Sequence, residues 1–225
     1  SGRMPRLRQT LTILFALPLG IGSAIYLSEY ARGRAPRILR IIRTATNILA
    51  GVPSIVFGLL GLGLFVLFLN FRFSLLSSAL ALSLLTLPVI IAASEEALEA
   101  IPMSFREASL ALGATKWQTI RYAVLPYGTP GIMTACILAL SRAAGETAPI
   151  LLTGVAYYLP SLPTSIFSQF MALPFHIFAL STQSYNPNVT RPIQFGTVLV
   201  LTMLVLAMNL FAIVVRSYFR RAKKW

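Results

Sequence analysis

Arg142 and Glu146 stand four residues apart in the segment S-R-A-A-G-E-T-A-P, 141–149, inside a long apolar stretch. Four residues is about one helical turn, so the spacing puts both side chains on one face. At roughly 100° per residue that face also carries Ala135, Ala139 and Ala143, small residues that let helices approach closely. An arginine near the bilayer centre costs about 2.5–3.5 kcal/mol on insertion scales, and such residues face a polar cavity or a partner. Two roles fit. The pair can neutralise itself and lock a helix bundle. Or it lines a path for an anion, with Arg142 attracting the ion while Glu146 holds the arginine and keeps the site from becoming a trap.

A second polar stretch runs from Ser94 to Pro126 between long apolar segments, and it carries Glu95, Glu96, Glu99, Arg106 and Glu107. Ser104 followed by Glu107 has the spacing of a capping box and predicts a helix start there. The helix runs on through Ala108 and Leu110 to Leu112. Gly113 stops it, since glycine takes a left-handed conformation at little cost. Thr115 is placed to cap a second short helix, Lys116 to about Ala123, which Pro126 is expected to end. A helix, a glycine elbow and a helix make a rigid module, able to move as a unit. The plainer alternative is an ordinary amphipathic loop between two spans.

Other chemistry finds no residues. The chain has no aspartate, which argues against carboxylate-rich metal sites and hydrolytic dyads. His176 is its only histidine, in L-P-F-H-I-F, and reads as an interface residue. The single Cys136 lies in an apolar run and reads as a small packing residue. No G-x-x-x-x-G-K-[ST] occurs, so the chain cannot cradle ATP phosphates in a P-loop. No serine sits in a nucleophile motif. An intramembrane enzyme is therefore disfavoured.

The elements that must position these groups are membrane helices. Of 225 residues 56% are hydrophobic and 11% charged, against about 25% charged in soluble domains. The net charge of +13 would suit a nucleic-acid binder, but the basic residues sit at the ends of apolar runs, where topology signals belong. The expected surroundings are membrane lipid, not nucleic acid. A crossing needs about 20 apolar residues. Uncharged runs predict spans near 9–28, 46–69, 73–94, 127–152 and 192–215. The section 147–190 is interrupted by prolines and reads in its second half as a partly helical interfacial segment. Tyr157, Tyr158, Trp117 and Trp225 lie near predicted boundaries, as aromatic anchors do. With 94–126 on the cytoplasmic side, thirteen Lys and Arg fall inside and five outside, Arg142 being within the membrane. The C-terminus is then cytoplasmic. Arg3, Arg6 and Arg8 fit this orientation poorly, which leads to the expectation that one further span precedes the first, the simple alternative being that the first run is misassigned. The chain thus reads as one transmembrane domain over 9–216, including the loop 94–126, followed by a basic tail over 217–225.

The residues Glu107-Ala108-Ser109, Gly113 and Leu125-Pro126 resemble the EAA loop of ABC-importer permeases, with serine in place of the third alanine and Ala123 where that pattern has isoleucine. The segments A-G-E-T-A-P (144–149), G-V-P-S-I-V-F-G-L (51–59) and Y-L-S-E-Y (26–30) make the chain similar to the PstA type of phosphate permease from about residue 10 to 215. The resemblance implies an all-α polytopic fold of the type I, MetI-like importer class. It also implies a cytoplasmic-membrane location and transport of inorganic phosphate. Ser104, Glu107, Ala108, Gly113, Leu125 and Pro126 would form the loop that docks on an ATPase subunit, and Arg142 and Glu146 the substrate path. The implied partners are a dimer of ATP-binding subunits, which would hold ATP and Mg, a second similar permease and an extracytoplasmic phosphate-binding protein. Another oxyanion such as sulfate or molybdate is the nearest alternative. An ATP-independent channel or carrier is a further one.

Overall fold

The structure is a computed structural model and describes residues 3–31, 36–160, 163–183 and 187–222. It is helical almost throughout. Ten α-helices occur in the described residues: α1 (Arg3–Ile25), α2 (Pro36–Ala50), α3 (Ser54–Gly61), α4 (Leu75–Glu99), α5 (Met103–Ala111), α6 (Lys116–Gln118), α7 (Leu125–Gly145), α8 (Ala148–Thr153), α9 (Leu173–Thr182) and α10 (Pro187–Ala222). Wider π-type turns follow α1 (Tyr26–Tyr30), α3 (Leu62–Phe68) and α6 (Thr119–Val124). Four helical stretches are long and apolar enough to cross a membrane: Gln9–Tyr30, Leu75–Glu99, Lys116–Gly145 and Val189–Phe211. A bent pair, Pro36–Ala50 with Ser54–Phe68, makes a fifth if counted as one span. Five spans are thus the upper count among the described residues, as the uncharged runs predict.

Three boundaries differ here from the sequence expectation, and the start of the fourth span, at Lys116 rather than near Tyr127, differs as well. The second run, 46–69, is no straight span: the chain bends by 96° between Ala50 and Ser54. Gly51 and Pro53 cause this, since Pro53 holds an extended ψ of 138° at the start of α3 and cannot donate to the turn before it. The third span does not end at Ser94 but continues through Glu95 and Glu96 to Glu99. The fourth does not run unbroken to Leu152, because α7 stops at Gly145 and α8 is a separate short helix. In the section 147–190 three of the five prolines open helices. Pro149 and Pro174 lie in the first turns of α8 and α9, and Pro187 begins α10, where a missing N–H costs nothing. Residues 161–162 and 184–186 of this section lie outside the described residues. So do Arg32 and Arg34 of the first basic loop, and Lys223, Lys224 and Trp225 of the basic tail.

The chain forms two compact units. One comprises Ser1–Ala16, Val52–Thr86 and Leu140–Met208, the other Leu17–Gly51, Leu87–Ala139 and Asn209–Trp225. The first unit has an apolar core of Phe57, Leu75, Leu82, Leu85, Ala143, Ile150, Phe170, Phe175 and Ala179. Gly58 packs against the backbone of Ala148 and Pro149, and Gly61 against Ala81 and Thr153, so α3 meets α8 and α4 with almost no side-chain spacer. The free N–H groups at the start of α4 are met by irregular chain. Ser74, Leu75 and Leu76 donate to the carbonyls of Thr153, Ser168 and Ile166 at 3.1, 2.9 and 3.0 Å. Ser74 Oγ accepts from Ser77 N at 3.1 Å and caps the helix. Ser74 and Thr153, the last residue of α8, are fully buried, so their backbone groups need these partners.

In the second unit Leu27, Leu39 and Ile91 form an apolar cluster. An addition at Gly20 would strike Ile90, at Gly128 Leu98, and at Gly131 Ala97, so α1 and α7 both pack closely on α4 here. On α2, Ile38, Ile41, Ile48 and Leu49 are exposed, and only Leu39 is buried. The helix is amphipathic, with its apolar row outward.

Candidate functional site

The polar stretch folds into the expected helix, elbow and helix, with two corrections. The helix α5 starts at Met103, one residue before Ser104. Pro102, with φ −55° and ψ 142°, takes the N-cap position and no side chain caps the helix, so the Ser104–Glu107 capping box does not form. Proline at the boundary leaves one fewer free N–H to satisfy, and Ser104 then falls inside the first turn. At the other end Gly113 has φ +83°. Its N–H donates to Leu110 O at 3.0 Å and that of Ala114 to Ser109 O at 3.3 Å, the two bonds of a Schellman motif. Thr115 caps the second helix as expected, and Gln118 completes the box: Gln118 N donates to Thr115 Oγ1 at 3.3 Å and Thr115 N to Gln118 Oε1 at 2.8 Å.

Pro126 does not end this second helix. Residues Lys116–Gly145 form one 30-residue stretch. The π turn Thr119–Val124 just before Leu125 widens the backbone, with Leu125 N–H bonding to Ile120 O. That widening absorbs a residue whose ring clashes with an ordinary turn and which cannot donate. The module is therefore continuous with a span.

The elbow carries a stability prediction. At φ +83° a Cβ meets no neighbouring atom, so Gly113→Ala is a test of backbone strain alone. We expect it to cost about 1–2 kcal/mol locally, read as faster amide exchange at Leu112 to Lys116 with the spans unchanged. Unaltered exchange there would contradict the left-handed geometry.

The module shows two contrasting faces. Glu107 and Ala108 are exposed, as are Met103 at 54%, Leu110 at 50%, Trp117 at 53% and Leu112 at 89%. Ser109 is half-buried, its Oγ 3.0 Å from Thr119 Oγ1, a contact that ties the two short helices together. On the inner face Arg106 is 5% exposed. Its Nε lies 3.1 Å from both carboxylate oxygens of Glu29, and its Nη2 2.6 Å from Glu29 Oε1. It also donates to Leu98 O at 2.9 Å and Ile101 O at 2.8 Å, carbonyls at the end of α4. Breaking such a buried pair by removing one partner costs about 3–5 kcal/mol. Arg43 of α2 similarly pairs with Glu95 at 2.6 Å and with Glu99, both on α4. Lys116 lies 5.0 Å above the Tyr30 ring, within cation–π range. Sequence reasoning placed Arg106, Glu95 and Glu99 in the module without finding these partners. Glu29 and Arg106 are 77 positions apart, and no local pattern links them.

Arg142 and Glu146 do meet, through Nε and Oε1 at 3.6 Å. Arg142 lies in the last turn of α7, and Glu146 is the residue just beyond its end. The distance exceeds hydrogen-bond range, and the Arg142 side chain is 53% exposed against 16% for Glu146. Ala135, Ala139 and Ala143 are buried, so the small-residue face and the arginine part company at the helix end. Ser141 is also buried, and its hydroxyl has no partner among the described residues. Cys136 is buried and free, and His176 lies half-buried in α9. Among the described residues no three His, Cys, Asp or Glu side chains converge to hold a metal ion.

Residues 16–225 match the family model described as binding-protein-dependent transport system inner membrane component. The chain is 39% identical over 212 residues to the phosphate transport system permease protein PstA 1 of Mycobacterium tuberculosis, covering 94% of this chain and 67% of that protein. It is 35% identical to the probable ABC transporter permease protein YqgI of Bacillus subtilis, covering 90% and 71%. To the PstA protein of Mycobacterium leprae it is 40% identical, covering 88% and 63%. The chain spans about two thirds of the length of these curated relatives. In fold it is similar to the inward-facing MetNI methionine ABC transporter, with a TM-score of 0.69 at 18% identity over 96% of this chain and 91% of that one. The helical architecture, the elbow module between two membrane helices and these matches lead to one conclusion: the chain is a multi-span membrane protein of the binding-protein-dependent transport system inner membrane component family.

Proposed function

We propose that this chain is the membrane permease subunit of an ATP-driven importer of inorganic phosphate. The observation that carries the substrate is the alignment with phosphate permeases over about nine tenths of the chain. The proposed assembly adds a second similar permease, a dimer of ATP-binding subunits holding ATP and Mg, and an extracytoplasmic phosphate-binding protein. It sits in the cytoplasmic membrane with the C-terminus inside. The exposed residues Glu107, Ala108, Leu110 and Leu112 suit docking into a cleft of the ATPase subunit, since they form an apolar patch with one charge on a rigid mount. Ser104 and Gly113 shape that mount, and Leu125 and Pro126 join it to α7. Closure of the ATPase dimer moves α5 and α6. Because α7 continues from them and α4 ends just before them, both spans change tilt. The path then opens outward to receive phosphate and inward to release it, with Arg142 and Glu146 facing the ion.

The test uses vesicles containing the whole assembly. We expect phosphate uptake that stops when ATP hydrolysis is blocked and that excess sulfate or molybdate does not suppress. Suppression by either anion points to the broader oxyanion reading. Uptake that persists without hydrolysis points to a channel or carrier and overturns the proposal.

A further inference from the structure

Arg106 is built into the chain in a way that docking does not require. Its neighbour Glu107 faces outward, yet Arg106 is buried on the opposite side of the same nine-residue helix. Four N–H donors of one guanidinium are used, two towards Glu29 and two towards Leu98 and Ile101 carbonyls. Buried ion pairs are poor stabilisers, because well-packed apolar groups of similar size often serve as well or better. What an arginine adds is direction: a planar fork fixed to several partners at once. Along the chain, α5 joins α4 through residues 100–102 and α7 through α6. It has no such link to α1. Glu29, on the π turn at the end of the first span, supplies one through Arg106.

We propose that Arg106 and Glu29 form the joint that carries a displacement of α5 to the ends of α1 and α4 together, which makes Arg106 a positioning residue for transport. The inference rests on the reading of α5 and α6 as the ATPase-docking module. Pushing the outer face of α5 moves the guanidinium, and its short bonds to both helices leave them no freedom to lag. Without the joint, α4 still follows through the chain, while α1 keeps only its packing on α4 at Gly20 and the Lys116–Tyr30 contact.

The experiment measures phosphate taken up per ATP hydrolysed, in vesicles holding the complete assembly. The variants are Arg106→Lys, Glu29→Gln and the double Glu29→Gln/Arg106→Gln, with copurification of the ATPase subunit as the check on assembly. Lysine keeps the charge and loses the fork. We expect hydrolysis per assembled complex within about twofold of the parent, with Glu29→Gln giving the lowest yield of complex because it strands a buried charge, and uptake per ATP lowered by about two- to thirtyfold, as for residues that modulate coupling between sites. The double variant is no worse than Glu29→Gln alone, since one joint is removed once. A parental ratio in Arg106→Lys and Glu29→Gln overturns the inference. So does failure of all three to assemble, which assigns the pair to folding alone. Glu107→Gln and Leu112→Ser separate the underlying reading: if they lose the ATPase subunit while Arg106→Lys keeps a parental ratio, only the joint is wrong. If they keep the ATPase subunit and full uptake, the docking reading falls and the joint with it.

Discussion

Arg142→Gln is expected to lower phosphate uptake by about 10- to 100-fold while assembly and ATP hydrolysis survive. The magnitude follows from a charge-assisted hydrogen bond worth about 1.5–3 kcal/mol, at tenfold per 1.4 kcal/mol. The geometry makes the arginine available for such a bond. Arg106 spends four donors on partners inside the protein, whereas Arg142 reaches Glu146 only at 3.6 Å and remains half exposed. An arginine in the last turn of a membrane helix, half exposed and with so loose an internal partner, is poorly explained as a bundle lock. Glu146→Gln moves the other way. Removing the negative charge strengthens anion binding, so KM falls, and slower release lowers kcat as well. Initial uptake rates against phosphate concentration distinguish the two. Near-normal uptake in Arg142→Gln would make the arginine structural and remove 141–149 from the path.

The spans were legible because charge is costly in hydrocarbon, and runs without it mark the helices. That same counting hid what happens inside a run. Gly51 and Pro53 sit within an uncharged stretch, and the 96° bend they cause leaves no trace in charge. It also cut α4 short. Glu95, Glu96 and Glu99 looked like the end of a span, but Glu95 and Glu99 are one turn apart and share Arg43 from α2. Local chemistry fixed the elbow well, since Gly113 and Thr115 act on their own neighbours. It misled at Ser104 and Pro126. At the first, Pro102 competes for the same helix start. At the second, a π turn changes the hydrogen-bond register before the proline arrives. The Glu29–Arg106 pair lay beyond reach, since only the packing of α1 against the end of α4 brings it together. The PstA-type resemblance, read from A-G-E-T-A-P and the glycine-proline segment, agrees with the relatives found.

Gly154→Ala is expected to be the most destabilising single substitution in the first unit. A Cβ on Gly154 would overlap the backbone O, C and N of Ser74, and backbone cannot swing aside as a side-chain tip does. Relieving the overlap pushes residues 153–156 and 165–170 off the start of α4. That strains the bonds from Ser74 N to Thr153 O, Leu75 N to Ser168 O and Leu76 N to Ile166 O, and the contact of Thr153 Oγ1 with Ser78 Oγ at 2.9 Å. Overpacking alone costs about 1–3 kcal/mol, and the four bonds, weakened rather than lost, add about 0.5 kcal/mol each, so a total of roughly 3–5 kcal/mol is expected. For a chain of this size that lowers Tm by roughly 6–20 °C, at 2–4 °C per kcal/mol. Gly22→Ala is the internal control: no atom lies within 4 Å of its added Cβ, and substitutions free of such conflicts stay within about 0.5 kcal/mol. Thermal unfolding of the two variants in the same detergent gives the comparison. Equal midpoints would mean that residues 153–156 and 165–170 do not lie on the start of α4, and that the N–H groups of Ser74, Leu75 and Leu76 find their acceptors elsewhere.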